Sequence, residues 1–300
     1  MKTHHDTLEH FLFEDSFHQA MPIRGNLVRL NQTQQQALQH QALPTRLKQV
    51  LGELMAASAL LSATLKMEGA FILQLQSKGA IPLLVVECSS DLKLRATAKW
   101  DAEREAEIAS SDFLTLVKNG HFVITLDPTE GEAYQGIVPI EGASIAEMLQ
   151  NYMLRSQQID TSLWLQSDGG NAAGMLLQKL PNVAENDADA WNRVNYLANT
   201  VTPEELDNLS AETLLTRLFS EENVRLFEPR ATQFQCSCNK TKVGNMLRML
   251  GLEEVNSVLT ERENIEVLCD FCQKQYLFDA VDAAALFVPA SALGGSSAVN

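Results

Sequence analysis

Cys236-Ser237-Cys238, then thirty residues without a thiol, then Cys269-Asp270-Phe271-Cys272: this stretch organises the reading of the whole chain. Two close pairs at this separation suit a tetrahedral four-sulfur metal site. Each pair supplies one edge, and the segment between folds back to bring the edges together. The first pair has one intervening residue, where structural zinc knuckles ordinarily have two or more. On spacing alone three readings stay open: a thioredoxin-like redox pair, a structural zinc site, or a zinc site that doubles as a thiol switch. A thioredoxin-like Cys-x-x-Cys would open a helix after a strand. Cys269 and Cys272 lie instead between two short strand signals, residues 265–268 and 276–278.

Composition narrows the function classes. The chain has 300 residues, 45% of them hydrophobic, enough for one large domain with a smaller one. Acidic residues number 38 against 23 Lys and Arg, a formal net charge of −15. That disfavours nucleic acid and anionic membrane, both of which require clustered basic residues. The longest apolar run, residues 54–65, contains Ser58, Ser62 and Thr64 and is too short to span a bilayer. Residues 1–14 carry His4, His5, Asp6, Glu9 and His10 and show no secretory leader pattern. The expectation is a cytoplasmic protein, where paired cysteines more often bind metal than form structural disulfides. The fifth cysteine, Cys88, ends an apolar strand and reads as a buried structural thiol.

Ahead of the cysteines the pattern predicts an α+β core over residues 1–182, built from two antiparallel sheets with helices. Residues 8–14 read as a helical turn or strand and 23–30 as a strand. Thr33 is the expected cap of a helix over 34–41, which Pro44 forbids from continuing. Residues 45–66 give the clearest helix: Leu47, Val50, Leu51, Leu54, Ser58, Leu61 and Leu65 recur at steps of three and four, and the second half is apolar nearly all round. Alternation over 71–76, 81–88 and 92–100 predicts an antiparallel meander with one wet face. Strands 121–127, 134–140, 163–167 and 172–180 are expected to form a second sheet. A helix over 145–158, opened by a Ser144–Glu147 capping box, interrupts them, and Asp168-Gly169-Gly170-Asn171 makes a hairpin turn.

After Pro181 the character changes. Residues 183–230 hold ten acidic residues against four arginines, lack alternating strands, and carry helix punctuation at Thr202-Pro203-Glu204-Glu205 and at Ser210. Short acidic helices with thin apolar faces are marginal alone and need a surface to lie on. Residues 183–235 are thus expected to be a metastable helical linker, 236–288 a small zinc-binding domain and 289–300 a flexible tail. In the zinc domain, helices over 243–250 and 252–259 break at Gly251, and Asp279 caps a last turn. About fifty residues with few large apolar side chains can hardly fold unaided. A structural zinc ion supplies an apparent ~10–16 kcal/mol of folding free energy, comparable with the ~5–15 kcal/mol stability of a whole domain.

Motifs for catalysis are missing. Gly142-Ala143-Ser144-Ile145-Ala146 imitates a nucleophile elbow, but its fifth position is Ala. All six histidines (4, 5, 10, 18, 40 and 121) precede the serine, whereas that fold requires one after it. Neither a GxxxxGK nor a GxGxxG loop occurs, so ATP and dinucleotide binding have no support and no enzyme is expected.

Tyr134 to Ser144 (YQGIVPIEGAS), Tyr152 to Gln158 (YMLRSQQ), Gly174 to Pro181 (GMLLQKLP) and the cysteine set before Tyr276-Leu277-Phe278 together resemble the 33 kDa chaperonin family along almost the whole chain. After Cys238 the chain has Asn239-Lys240-Thr241-Lys242 where that family usually has a serine and an arginine, which bears on the charge near the sulfurs. The resemblance implies an ATP-independent holdase for unfolded or aggregating client proteins, inactive while reduced and bound to one zinc ion. It further implies that Cys236, Cys238, Cys269 and Cys272 are both ligands and redox centres. Oxidation would join Cys236 to Cys238 and Cys269 to Cys272, expel zinc, unfold the linker and yield an active homodimer. The competing expectation is a zinc-ribbon interaction module without redox switching. Residues 231–300, with five basic against eight acidic residues, argue against nucleic acid as its partner.

Overall fold

In chain order the computed structural model begins with β1 (Thr7–Glu14), β2 (Ala20–Leu30), α1 (Gln32–Leu38) and α2 (Thr45–Ser62). There follow β3 (Gly69–Gln76), β4 (Leu83–Ser89), β5 (Lys93–Lys99), α3 (Glu105–Ser110), α4 (Phe113–Leu116), β6 (His121–Pro128), β7 (Tyr134–Pro139) and α5 (Ile145–Ser156). Next come β8 (Thr161–Ser167), β9 (Ala172–Lys179), α6 (Ala190–Ala198), α7 (Pro203–Asn208), α8 (Ala211–Leu218), β10 (Asn223–Leu226), β11 (Arg230–Ala231) and β12 (Gln233–Phe234). The cysteine region adds α9 (Lys240–Leu250), α10 (Leu252–Glu261), β13 (Ile265–Leu268), β14 (Gln275–Phe278) and α11 (Ala280–Leu286). The structure describes residues 6–180, 187 and 189–288, so the expected flexible tail, His4 and His5 lie outside the described residues. The chain divides into two units, 1–235 and 236–300.

The fold class is α+β. In the first unit one sheet has the order β10-β1-β2-β9-β8, with β11 also pairing to β1, and the other has the order β12-β5-β4-β3-β6-β7. The expected meander of β3, β4 and β5 is present. The expected second sheet is not: β6 and β7 extend the meander through β3, whereas β8 and β9 join the opposite sheet through β2. Pairing between β2 and β9 sets Leu27 opposite Met175, a partnership that no local pattern announces. Among the described residues all strand pairs are antiparallel except that of the two-residue β12, which runs parallel to β5.

Helix α2 explains why the two sheets belong to one unit. Every residue from Leu54 to Ser62 is buried, and the helix packs against strands of both sheets. A helix apolar all round must be covered all round. It ends at Ser62, four residues short of the expected boundary. Helix α1 starts at Gln32 and takes its cap from elsewhere. Thr33 is buried and does not cap; the Asp6 carboxylate accepts from the backbone N–H groups of Asn31, Gln32 and Thr33 at 3.0, 3.0 and 2.7 Å. These are the donors that a helix start leaves unsatisfied.

Strand β9 is buried on both faces, as its apolar run from Ala172 to Leu177 requires of a central strand. Ala172 and Leu176 face the core around α2, while Ala173, Met175 and Leu177 face the opposite side. On that opposite side they meet Phe11, Phe13, Met21, Ile23 and Leu27 and form an apolar sheet surface. Gly25 pairs with Phe11 across the strands, and any Cβ at that position would lie 2.0 Å from the ring.

The acidic segment covers this surface. Helix α6 contributes Ala190, Val194 and Ala198, α7 contributes Leu206, and α8 with its cap contributes Ala211, Leu214, Leu215, Leu218 and Phe219. Thr202 and Glu205 complete a capping box on α7, and Ser210 caps α8, as the sequence indicated. Its end departs from expectation. The expected helical linker also contains β10 and β11, which pair with β1, and β12, which pairs with β5. These strands are four, two and two residues long, at or below the shortest length at which alternation can be read.

Candidate metal centre

The second unit has a small core of Val243, Leu247, Val255, Ile265, Tyr276, Phe278 and Ala283. Gly251, at φ 96°, separates α9 from α10, a backbone conformation that favours glycine. Asp279 caps α11 by accepting from the Asp282 N–H at 2.7 Å. The β13–β14 hairpin pairs Ile265 with Phe278 and Leu268 with Gln275, and its closed end carries the second cysteine pair. There the Cys269 N–H donates to the Lys274 carbonyl at 3.0 Å and the Gln273 N–H to the Cys269 carbonyl at 2.9 Å. This knuckle turns Cys269 and Cys272 to one side. The first pair directly precedes α9, where the Asn239 side chain accepts from the Lys242 N–H at 2.9 Å.

The four sulfurs meet, all within 4.8 Å of one another. Cys236 Sγ lies 3.7 Å from Cys269 Sγ, and Cys238 Sγ lies 3.4 Å from Cys272 Sγ. A tetrahedron with metal–sulfur bonds of about 2.3 Å has edges of about 3.8 Å, so the donor set fits one ion of the zinc type. The arrangement can hold a metal ion, and no disulfide joins any of the four.

Electrostatics within the set are uneven. Burial opposes ionisation of Cys238, but the Tyr276 hydroxyl and the neighbouring thiols donate to it and bring its pKa down to about 7. Burial, and then its role as donor to the other sulfurs, pushes Cys272 up to about 12, and burial also raises Cys236. Negative charge is therefore favoured on Cys238 over Cys236 and Cys272, and a divalent cation bound by the set would favour their thiolates as well. The lysine after Cys238 is turned to other work. Lys240 Nζ pairs with Asp282 at 2.8 Å and lies 5.2 Å from the centre of the Phe278 ring.

Every cysteine singled out from sequence is in the cluster, and Cys88 is not. It is fully buried in the core around α2, where burial pushes its pKa up to about 12, as befits a structural thiol. What the sequence reading missed is Tyr276, whose hydroxyl donates to Cys238 Sγ at 3.1 Å. Its proximity to Cys272 was a signal, but the strand alternation of Tyr276 and Phe278 accounts for it equally well as core.

A family model described as Hsp33 protein matches residues 6–279. The chain belongs to the Hsp33 family. Among curated relatives of this family, the 33 kDa chaperonin of Methylobacillus flagellatus is 55% identical over 97% of both chains. That of Chromobacterium violaceum is 48% identical over 95% of this chain and 94% of its own. The crystal structure of a 33 kDa chaperonin (heat shock protein 33 homolog) from Thermotoga maritima superposes with a TM-score of 0.77, covering 94% of this chain and 98% of that one. At 21% identity it bears on the fold alone. Hsp33 membership and the relatives' names support a chaperone function. Among the described residues no helix is long and apolar enough to cross a membrane.

Proposed function

We propose that this chain is a redox-regulated, ATP-independent holdase that captures unfolding proteins during oxidative stress. The observation that carries the reading is the convergence of Cys236, Cys238, Cys269 and Cys272 to within 4.8 Å in a unit with a very small core. One zinc ion bound there in the reduced protein would hold the sulfurs as thiolates and supply the folding free energy that this core lacks. Thiolates are also the form that peroxide attacks. In each pair, Cys236 with Cys238 and Cys269 with Cys272, two thiolates give two electrons to one hydrogen peroxide. A disulfide forms, the O–O bond breaks, and two protons complete two waters. Such short loops restrain the chain little, so the second unit, deprived of its metal ion, would unfold rather than lock shut.

The output is the acidic linker, residues 183–235. Its last strand, β12, ends two residues before Cys236, so unfolding of the second unit bears directly on it. Undocking α6, α7 and α8 would bare Phe11, Phe13, Ile23, Leu27, Met175 and Leu177 together with the apolar faces of the helices. A contiguous apolar surface of this kind suits unfolded clients and self-association into a homodimer. The reading places the protein in the reducing cytoplasm and needs neither ATP, nucleic acid nor membrane. To test it, zinc content, free thiols and light scattering by an aggregating client are measured before and after warm peroxide treatment. Suppression by oxidised, zinc-free protein alone supports the proposal. Equal suppression by the reduced form, or none after oxidation, sinks it.

A further inference from the structure

The sulfurs of the cluster are not equivalent, because one of them receives a hydrogen bond from a fixed phenol. Tyr276 lies on β14 opposite Val267, and its ring is one of the buried members of the second unit's small core. Only 7% of the residue is exposed, so packing fixes the ring and with it the position of the hydroxyl. The hydroxyl oxygen lies 3.1 Å from Cys238 Sγ. Lys274 Nζ sits 5.5 Å from the centre of the same ring.

We propose that Tyr276 is a positioning residue that sets the threshold of the switch by restraining Cys238, so that this sulfur reacts later than it would without the phenol hydroxyl. The proposal rests on the reading of the cluster as an oxidisable zinc site. A hydrogen bond to a metal-bound thiolate has two consequences of the same sign. It stabilises the anion where the metal requires it, as partners beyond the immediate ligands generally do, with effects of about 10–100-fold on metal affinity. It also withdraws electron density from the sulfur, and nucleophilicity falls with basicity. Both effects oppose oxidation. The attack itself is the ordinary one: the sulfur takes one oxygen from hydrogen peroxide as the O–O bond breaks, giving a sulfenic acid and releasing hydroxide. A neighbouring thiolate then displaces the sulfenic oxygen, which leaves as a second hydroxide, to close the disulfide.

Tyr276→Phe keeps the ring and deletes the donor, while Tyr276→Leu removes both. Zinc affinity is measured by chelator competition and zinc release by timed peroxide treatment. The first sulfur to react is identified by mass spectrometry after partial alkylation of the zinc-loaded full chain. For Tyr276→Phe the expected results are zinc affinity weakened about tenfold or more, faster release, and Cys238 modified earlier relative to the other three cysteines than in wild type. Tyr276→Leu should promote Cys238 equally. Unchanged affinity and an unchanged modification order in Tyr276→Phe overturn the proposal, as does promotion of Cys238 by Tyr276→Leu alone, which would assign the effect to packing. A wild-type protein that binds no zinc overturns both this inference and the holdase reading; a zinc-binding protein indifferent to Tyr276→Phe overturns only this one.

Discussion

Phe219→Ala probes how firmly the linker is held on its sheet. The ring is 2% exposed and lies edge-on to Phe13, with centroids 5.0 Å apart and planes at 82°; Phe13 in turn meets Phe11 at 5.9 Å. Removing a buried phenylalanine costs about 3–5 kcal/mol. Phe219 belongs to the cap of α8, so most of that loss should fall on docking of the helices rather than on the β1–β2 pairing beneath. At about 1.4 kcal/mol per factor of ten, a loss of about 4 kcal/mol raises the undocked fraction by nearly three orders of magnitude. The assay is tryptophan fluorescence of the reduced, zinc-loaded variant, beside client light scattering without oxidant. Trp164, whose indole donates to Asn199 at 3.2 Å, and Trp191 both pack into this cluster and report on it. Red-shifted emission and suppression of aggregation without oxidation are expected. Wild-type fluorescence and an inactive reduced protein, alongside a 3–5 kcal/mol loss in global denaturation, would refute the idea that the helices undock as a separable element.

Three further substitutions test the energetics around the core. Arg29, buried beneath α7, donates through Nε to the Leu206 carbonyl at 3.1 Å and lies 4.0 Å from the Glu9 carboxylate, itself nearly inaccessible. Arg29→Met should therefore destabilise the protein by about 3–5 kcal/mol in denaturant titration by leaving Glu9 without that counter-charge, and Glu9→Gln in the same chain should recover much of the loss. Glu53, on α2, has its pKa raised by burial from 4.5 to about 7, against the opposing pull of Arg46. A raised carboxyl pKa contributes stability that is present below about 4.5 and lost as pH climbs through 7. Glu53→Gln should thus match wild type near pH 4 and exceed it at pH 8 by up to about 3 kcal/mol, seen as a higher Tm at the upper pH only.

Elements written by short-range rules were legible in the sequence. The run from Leu54 to Ser62 could only be a helix covered on all sides, and Thr202, Ser210 and Asp279 cap the helices they precede. The four cysteines were legible because metal chemistry restricts residue type and spacing together. Ser144 was half legible: it caps α5, but Glu147 reaches back to the Ala143 N–H rather than closing the box. Elements that depend on distant partners were not. Nothing near β8 and β9 indicates that they follow β2 rather than β6, and the cap of α1 arrives from Asp6 across the fold. Strands β10 to β12 exist because β1 and β5 offer them free edges, not because their own residues alternate. The role of Tyr276 required three dimensions, since its ring satisfies the core whether or not its hydroxyl meets a sulfur.

The claim on which the account turns is that oxidation of the four cysteines is read out as undocking of α6, α7 and α8 from the β1–β2–β9 surface. Amide hydrogen exchange through Val194, Leu206 and Leu214, followed while zinc is released by peroxide, tests it most directly. The account predicts strong protection in the reduced, zinc-loaded protein and its loss in step with zinc, while Leu54 to Leu61 of α2 remain protected. Protection of the three helices that persists in zinc-free protein already suppressing aggregation would contradict it.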